Sequence, residues 1–403
     1  MACPSTSSPG LDALGAWLDT APNRERTGNF AGLHTEAMAR VLAALPRPPA
    51  PITIAGTKGK GSTLHLIEAG LRALGHGTVA FTSPHVRSLA ERWRIDGQDA
   101  SAEVLFEAKE VVVAAEATSD TALSWFERSL ALAVVLAARR PQAYFICEVG
   151  IGGRQDATNA LDAGIAVVTH LSHDHRDVLG PTLEDIAHQK LGIARPGRPL
   201  VIAPQSAAAE AAIHRRLTAG DAAGARILSV QRGPNLELGL PGNHQQDNAA
   251  TALRVLAECQ PEVSFTPVLA AWKNLHLPAR CQIIDQPGRR LLIDGAHNGP
   301  SIAATMAVAQ QCLKPDFTLV LALARDKEVD EVLAALPTGL RVLRCGYDSP
   351  RARQESDWPE PARTWPWYPS INDVLAAMTG DLCITGSFYL AAEALAQLSE
   401  SEA

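Results

Sequence analysis

Long apolar runs are missing from this chain. No stretch of about 18 uninterrupted apolar residues occurs in its 403 residues, so no membrane-spanning helix and no membrane partner is expected. The segment Met1 to Gly10 lacks the charged stretch followed by an apolar one that marks a secretory leader, which points to the cytoplasm. Cysteine spacing is uninformative in a useful way: the seven cysteines are odd in number, scattered, and never arranged as C-x-x-C, which argues against a disulfide framework and a cysteine-ligated zinc site. Positive charge is also short. With 36 Lys and Arg against 43 Asp and Glu, the net charge of −7 supplies no attraction for a phosphate backbone, so nucleic acid is not an expected partner and small-molecule chemistry is.

What is present is ample core material, 46% hydrophobic residues, in a chain long enough for two or three domains. Short β-like runs alternate with amphipathic helical stretches, the pattern of a parallel sheet with helices on both faces. Strands are expected at Ile52 to Ala55, Thr78 to Phe81, Ala143 to Val149 and Gly164 to Thr169. Helices are expected at Ser62 to Gly75, Ala102 to Ala117, Ser124 to Arg139, Leu183 to Ala194 and His244 to Glu258. The turn signal Asp285-Gln286-Pro287-Gly288 divides the chain into 1–286 and a smaller α/β unit, 287–403, in which Gly346 to Pro369 reads as an ordered or partly mobile insertion.

The segment Gly56-Thr57-Lys58-Gly59-Lys60-Gly61-Ser62 follows a strand and opens a helix, the context that makes a glycine pattern a phosphate site. Glycines let N–H groups approach oxygen closely, the helix N-terminus adds partial positive charge, Lys60 reaches phosphates, and the Ser62 hydroxyl can join a magnesium shell. Ile54 stands where the P-loop pattern has its first glycine, and Gly61 separates the lysine from Ser62. A glycine-rich turn capped by Ser62 is the plainer alternative.

With this loop come Phe81-Thr82-Ser83-Pro84-His85, Glu91-Arg92, Glu148 to Asn159 (EVGIGGRQDATN), Asp174-His175, Lys190-Leu191-Gly192-Ile193, His244-Gln245, Asn248-Ala249-Ala250, Arg280, Asp294-Gly295-Ala296-His297-Asn298 and Thr385-Gly386-Ser387. In that order, over roughly residues 50 to 390, they resemble the folylpolyglutamate and dihydrofolate synthases of the Mur ligase superfamily. The resemblance implies a two-domain α/β architecture: a P-loop ATPase domain with a mainly parallel sheet, which also holds the acid, and a smaller Rossmann-like domain that binds the amino acid. It implies an ATP-dependent amide ligase that adds glutamate to a pterin- or folate-like acid through an acyl phosphate, and a monomer.

By the same resemblance Gly56, Thr57, Gly59, Lys60, Gly61, Ser62, Asn248, Arg280 and Asp294 hold the nucleotide, while Ser62, Ser83, Glu148 and His175 ligate one or two magnesium ions. Lys60, Lys190, Asp294 and His297 are the catalytic candidates, Lys190 as a carbamate. Phe126, Asp156, Ala157, His297 and Ser387 are the substrate candidates. Plainer alternatives stand beside these: an exposed strand end for Glu148, a solvated helix face for Lys190, capping for Asn248 and Ser387, hinge charge for Arg280, Asp294 and His297, core packing for Phe126, and zinc for His173-Asp174-His175.

The match weakens at the acid end. Lys58 replaces the family's asparagine, and Ser88 stands where an arginine is often found, with Arg87 beside it. Ser124-Trp125-Phe126-Glu127 echoes a pterin-side segment with two substitutions. A diverged paralogue joining another acid and amine by the same chemistry is therefore the second enzyme reading, and a nucleotide-binding scaffold without catalysis the third.

Overall fold

A computed structural model describes residues 9–27, 35–233 and 235–400. Residues 1–8 of the Met1 to Gly10 segment, Cys3 among them, lie outside these ranges. Among the described residues the first sheet has eight strands: β1 (Ile52–Ala55), β2 (Thr78–Phe81), β3 (Trp93–Ile95), β4 (Gln98–Asp99), β5 (Tyr144–Glu148), β6 (Ile165–Val168), β7 (Pro199–Ile202) and β8 (Arg226–Ser229). Their spatial order is β4-β3-β2-β5-β1-β6-β7-β8. The six strands from β2 to β8 across the sheet run parallel, and β3 and β4 add an antiparallel edge. Strands covered on both faces read as continuous apolar runs, which is why β1 and β6 were legible as Ile-Thr-Ile-Ala and Ile-Ala-Val-Val.

Side chains of one strand enter opposite cores. Phe145 and Cys147 pack with the helices Ala102–Ser119 and Trp125–Ala138, whereas Ile146 packs with the helices Lys60–Ala73 and Asn243–Cys259. In the second of these layers Leu64, Ile67 and Leu71 supply the apolar face of the loop helix, and the buried Trp272 donates its indole N–H to Leu66 O at 2.9 Å. The phosphate-loop helix is thereby fastened along its length to the sheet.

The second sheet contains β9 (Gln282–Gln286), β10 (Arg289–Ile293), β11 (Thr318–Leu321), β12 (Arg341–Cys345), β13 (Trp367–Tyr368) and β14 (Leu382–Thr385), in the order β13-β12-β11-β14-β10-β9. Five of these strands are parallel, and β9 is antiparallel to β10, with Gln286 opposite Arg289 and Gln282 opposite Ile293. The expected division at 286/287 therefore falls inside a hairpin, whose turn Gly288 closes at φ +84°. The change of sheet lies before Gln282. The segment 346–369 is an ordered loop: Trp358 is fully buried, and the Arg344 guanidinium donates to Trp365 O and Glu355 O. No helix among the described residues is long and apolar enough to cross a membrane.

Candidate active site

Parallel strands leave their carboxyl ends open, and ligands bind there. The ends of β1, β2, β5 and β6 face the second sheet across a cavity of about 1670 Å³, lined among others by Lys60, Glu148, His175, Arg280, His297 and Tyr347.

The glycine loop is stitched to the segment after β6. Thr57 N and Lys58 N donate to His170 O at 3.0 and 3.2 Å, and Thr169 Oγ1 donates to Lys58 O at 2.7 Å. Gly59 takes φ +85°, and a Cβ there would stand 2.3 Å from Asn248 Oδ1, so only glycine fits. The helix Lys60–Ala73 then starts without a side-chain cap, leaving its first N–H groups for an anion. Lys60 and Lys190 both donate to Gly56 O, at 3.3 and 3.0 Å. Burial, with Lys60 as the nearest like charge, brings the Lys190 ammonium down to about 7.

Glu148, 2% exposed, accepts from Thr82 Oγ1 at 2.7 Å and Ser83 N at 3.1 Å. A Cβ at Gly61 would lie 3.6 Å from Glu148 Oε2 and 3.5 Å from Arg280 Nη2, so an anionic and a cationic group converge on the first turn of the loop helix. Ser62 and Ser83 are buried, and both line the same cavity. His175 sits at φ +50° after β6. Its side chain is 41% exposed, and partial desolvation, with Lys327, Lys60 and Lys190 adding to it, lowers its imidazole despite Asp174, which favours the neutral form that can ligate a metal. Burial pushes the Asp174 carboxyl up, yet His175, Lys327, His297 and Lys60 together hold it below its ordinary value.

Among the described residues no group of three or more His, Cys, Asp or Glu is placed to hold a metal, which leaves the zinc alternative without a closed site. A hard cation has a lesser requirement. One or two carboxylates suffice for magnesium when phosphates and water complete its shell, and Glu148 supplies one carboxylate to the cavity that Ser62 and Ser83 also line.

Some expected residues have their polar atoms engaged by the protein itself. Asn248 donates to Gln245 Oε1 at 2.9 Å, accepts from Thr63 Oγ1 at 3.4 Å and abuts Gly59, so it braces the loop from beneath. Asp294 accepts from Cys281 N, Ala296 N and Thr305 Oγ1 at 2.7 to 2.9 Å, tying the strand end to the segment that carries His297. Asp156 accepts from Ile151 N, Thr158 N and Thr158 Oγ1 and thereby folds the loop after β5; burial raises its carboxyl even so. Ala157 packs into the core beside it. Ser387 accepts from Tyr389 N at 3.1 Å at the start of the last helix, Phe388–Glu400.

Other expected residues face the cavity more freely. His297 hydrogen-bonds Gly295 O through Nδ1 and is held below its ordinary pKa by burial and then by Lys327. Arg280 lies over the Phe388 ring, 4.7 Å from its centre. Phe126 packs 5.6 Å from the Phe81 ring and close to Gly150. Arg87, next to the position where the family often has an arginine, is half exposed and turned to Glu91, while Ser88 caps the short helix Leu89–Arg92. Arg92 is buried instead, bonded to Glu25 at 2.6 Å and to His85 at 2.9 Å, with Trp125 against its guanidinium. Glu25 and Lys327 are cavity residues that the sequence reading passed over. For Lys327 a signal existed, since Ala324-Arg325-Asp326-Lys327 closely follows a strand of the second sheet.

An uncapped helix start presenting glycine-flanked N–H groups and a lysine, a buried carboxylate beside it, an arginine from the junction before the second sheet and a histidine from the second α/β unit are the arrangement of an ATP-dependent ligase of the Mur type. Residues 54–256 match the Mur ligase middle domain. The chain is 33% identical over 355 residues to the dihydrofolate synthase/folylpolyglutamate synthase of Escherichia coli (strain K12), covering 83% of this chain and 80% of that one. It therefore belongs to the folylpolyglutamate synthase/dihydrofolate synthase family. The solved structure of E. coli FolC in complex with DHPP and ADP superposes with a TM-score of 0.84 at 26% identity, over 99% of this chain and 100% of that one. A bifunctional folylpolyglutamate synthase/dihydrofolate synthase with Mn, AMPPNP and L-glutamate bound gives 0.82 at 26% identity, over 99% and 100%. The chain spans only 41% of a probable bifunctional folylpolyglutamate synthase/dihydropteroate synthase of Haloferax volcanii, to which it is 30% identical.

Proposed function

We propose that this protein joins L-glutamate to the carboxylate of a pteroate or folate, using ATP. The acid's carboxylate oxygen attacks the γ-phosphorus and ADP leaves. The glutamate nitrogen then attacks the acyl carbon, phosphate departs, and the nitrogen loses a proton. Catalysis of this kind is positioning and charge neutralisation. Its support is the convergence of Glu148 and Arg280 on the first turn of an uncapped helix, with Lys60 beside it.

In this reading the loop N–H groups and Lys60 hold the phosphates, and Arg280 neutralises charge on the transferring group from the second unit. Glu148, Ser62, Ser83 and His175 would hold magnesium, which when bound screens the phosphate charge from the attacking carboxylate. Asn248 and Asp294 position the loop and the His297 segment, His297 and Ser387 orient the amino acid, and Phe126 with the Asp156–Ala157 turn shapes the acid pocket. Lys190 supplies a buried amine that takes up CO₂ as a carbamate, turning a cation into an anion beside the metal site. A monomer acting in the cytoplasm is part of the same reading.

The Arg87 side chain turned out toward Glu91 and the capping role of Ser88 favour a second reading, in which another acid is joined by the same steps. One assay separates them. Purified protein with ATP and magnesium should release phosphate only when a pteroate or folate and L-glutamate are both present, with the amide identified by mass. Release with a different acid supports the second reading, and release indifferent to every acid and amine sinks both.

A further inference from the structure

His65 has no place in the roles assigned so far, yet its surroundings single it out. It lies four residues after Gly61 on the loop helix, on the same face and one turn on. That face at Gly61 meets Arg280 Nη2 and Glu148. A helical side chain leans toward the N-terminus and covers the turn before its own Cα, which carries the His65 ring back toward those two groups.

Its Nδ1 is buried and has no hydrogen-bond partner. Leaving a buried polar atom unpaired costs its full desolvation, so such an atom calls for a partner in some state of the molecule. Burial, followed by the positive charges of Arg94 and Arg280, brings its pKa down to about 3, which keeps it a neutral acceptor. Arg94 is already engaged: it donates to Glu68 and Asp99, each at 2.9 Å, and to Gly97 O. Arg280 instead rests on the Phe388 ring.

We propose that His65 is a positioning residue for the ligase reaction, its Nδ1 accepting a hydrogen bond from the Arg280 guanidinium and thereby aiming it at the nucleotide phosphates. The proposal rests on the reading of the glycine loop as the ATP site. The imidazole fixes one edge of the planar fork, leaving the other edge for phosphate oxygens, an arrangement suited to arginine and not to lysine.

A double-mutant cycle tests it, with kcat and KM for ATP measured in the phosphate-release assay and ADP affinity and thermal unfolding measured on the same proteins. His65→Leu is expected to lower kcat/KM for ATP about tenfold, the loss of one net hydrogen bond to a charged group. His65→Gln, which keeps a side-chain acceptor, is expected to recover most of that loss. In an Arg280→Ala background His65→Leu should have almost no further effect, because its partner is gone. An undiminished tenfold loss in that background, or no loss from either His65 variant, would overturn the proposal. Were the wild type to bind ADP and release phosphate while the cycle came out additive, only the role of His65 would fall; a wild type that bound no nucleotide would remove the functional reading as well.

Discussion

Lys190 holds its amine where water cannot stabilise a charge: the residue is 4% exposed, and its pKa falls to about 7 through burial and the nearby Lys60. The free amine of an unfolded chain titrates near 10.5, so between those values the folded protein binds fewer protons than the unfolded one. Stability contributed through this group therefore rises with pH across that window, and its cost is greatest below pH 7. Thermal unfolding in CO₂-depleted buffer should find Lys190→Met more stable than wild type near pH 7, with the gap narrowing toward pH 9. The same variant should lose turnover by about 100-fold or more if the lysine carries charge at the reacting site. Gly59 makes a second case at this scale. An alanine there would combine a φ of +85° with a 2.3 Å approach to Asn248 Oδ1, at a cost of about 1–3 kcal/mol. Calorimetry should show Gly59→Ala losing ADP affinity while circular dichroism shows its secondary structure intact.

Elements were legible where a local pattern was strong. The strands β1, β2, β5 and β6 and the helices between them fall within a residue or two of expectation, because apolar runs and helical spacing are properties of neighbouring residues. The strands β7 and β8, and the helix Ala207–Thr218 between them, were not legible: β7 opens on a proline, and β8 is a short run, Arg226–Ser229, at an exposed sheet edge. The insertion 346–369 was left open between order and mobility, since its Pro, Arg and Trp content has no period. Trp358 decides it by full burial in the second core. Trp358→Ala should lower unfolding free energy in denaturant titration by about 3–5 kcal/mol, as a cavity in a core does; a loss under about 1 kcal/mol would mean that the insertion is only surface.

At the scale of the whole molecule, the cavity lined by the glycine loop lies between the two sheets. Arg280 precedes the second sheet yet reaches the first turn of the loop helix, and Arg351 Nη1 donates to Glu25 O at 3.3 Å across the same cleft. ADP with magnesium should then stabilise both units: at about 100 times Kd the gain is about 2.7 kcal/mol. Hydrogen exchange should show protection both at residues 56–63 and at 294–298, and protection confined to the first segment would mean that the second unit does not close on nucleotide.

By itself the sequence determined the glycine loop between a strand and a helix, the apolar strands, the acidic balance and the ordered motifs of the family, all consequences of short-range chemistry. Tertiary structure decided which of those motif residues touch. Asn248 meets Thr63, 185 positions away, and is taken up as a brace; Asp294 accepts from Cys281 N, Ala296 N and Thr305 Oγ1; β9 joins the second sheet although it precedes the turn signal. Such pairings depend on how helices and sheets pack, and no local run of residues encodes the distance between two groups that the chain brings together only when it folds.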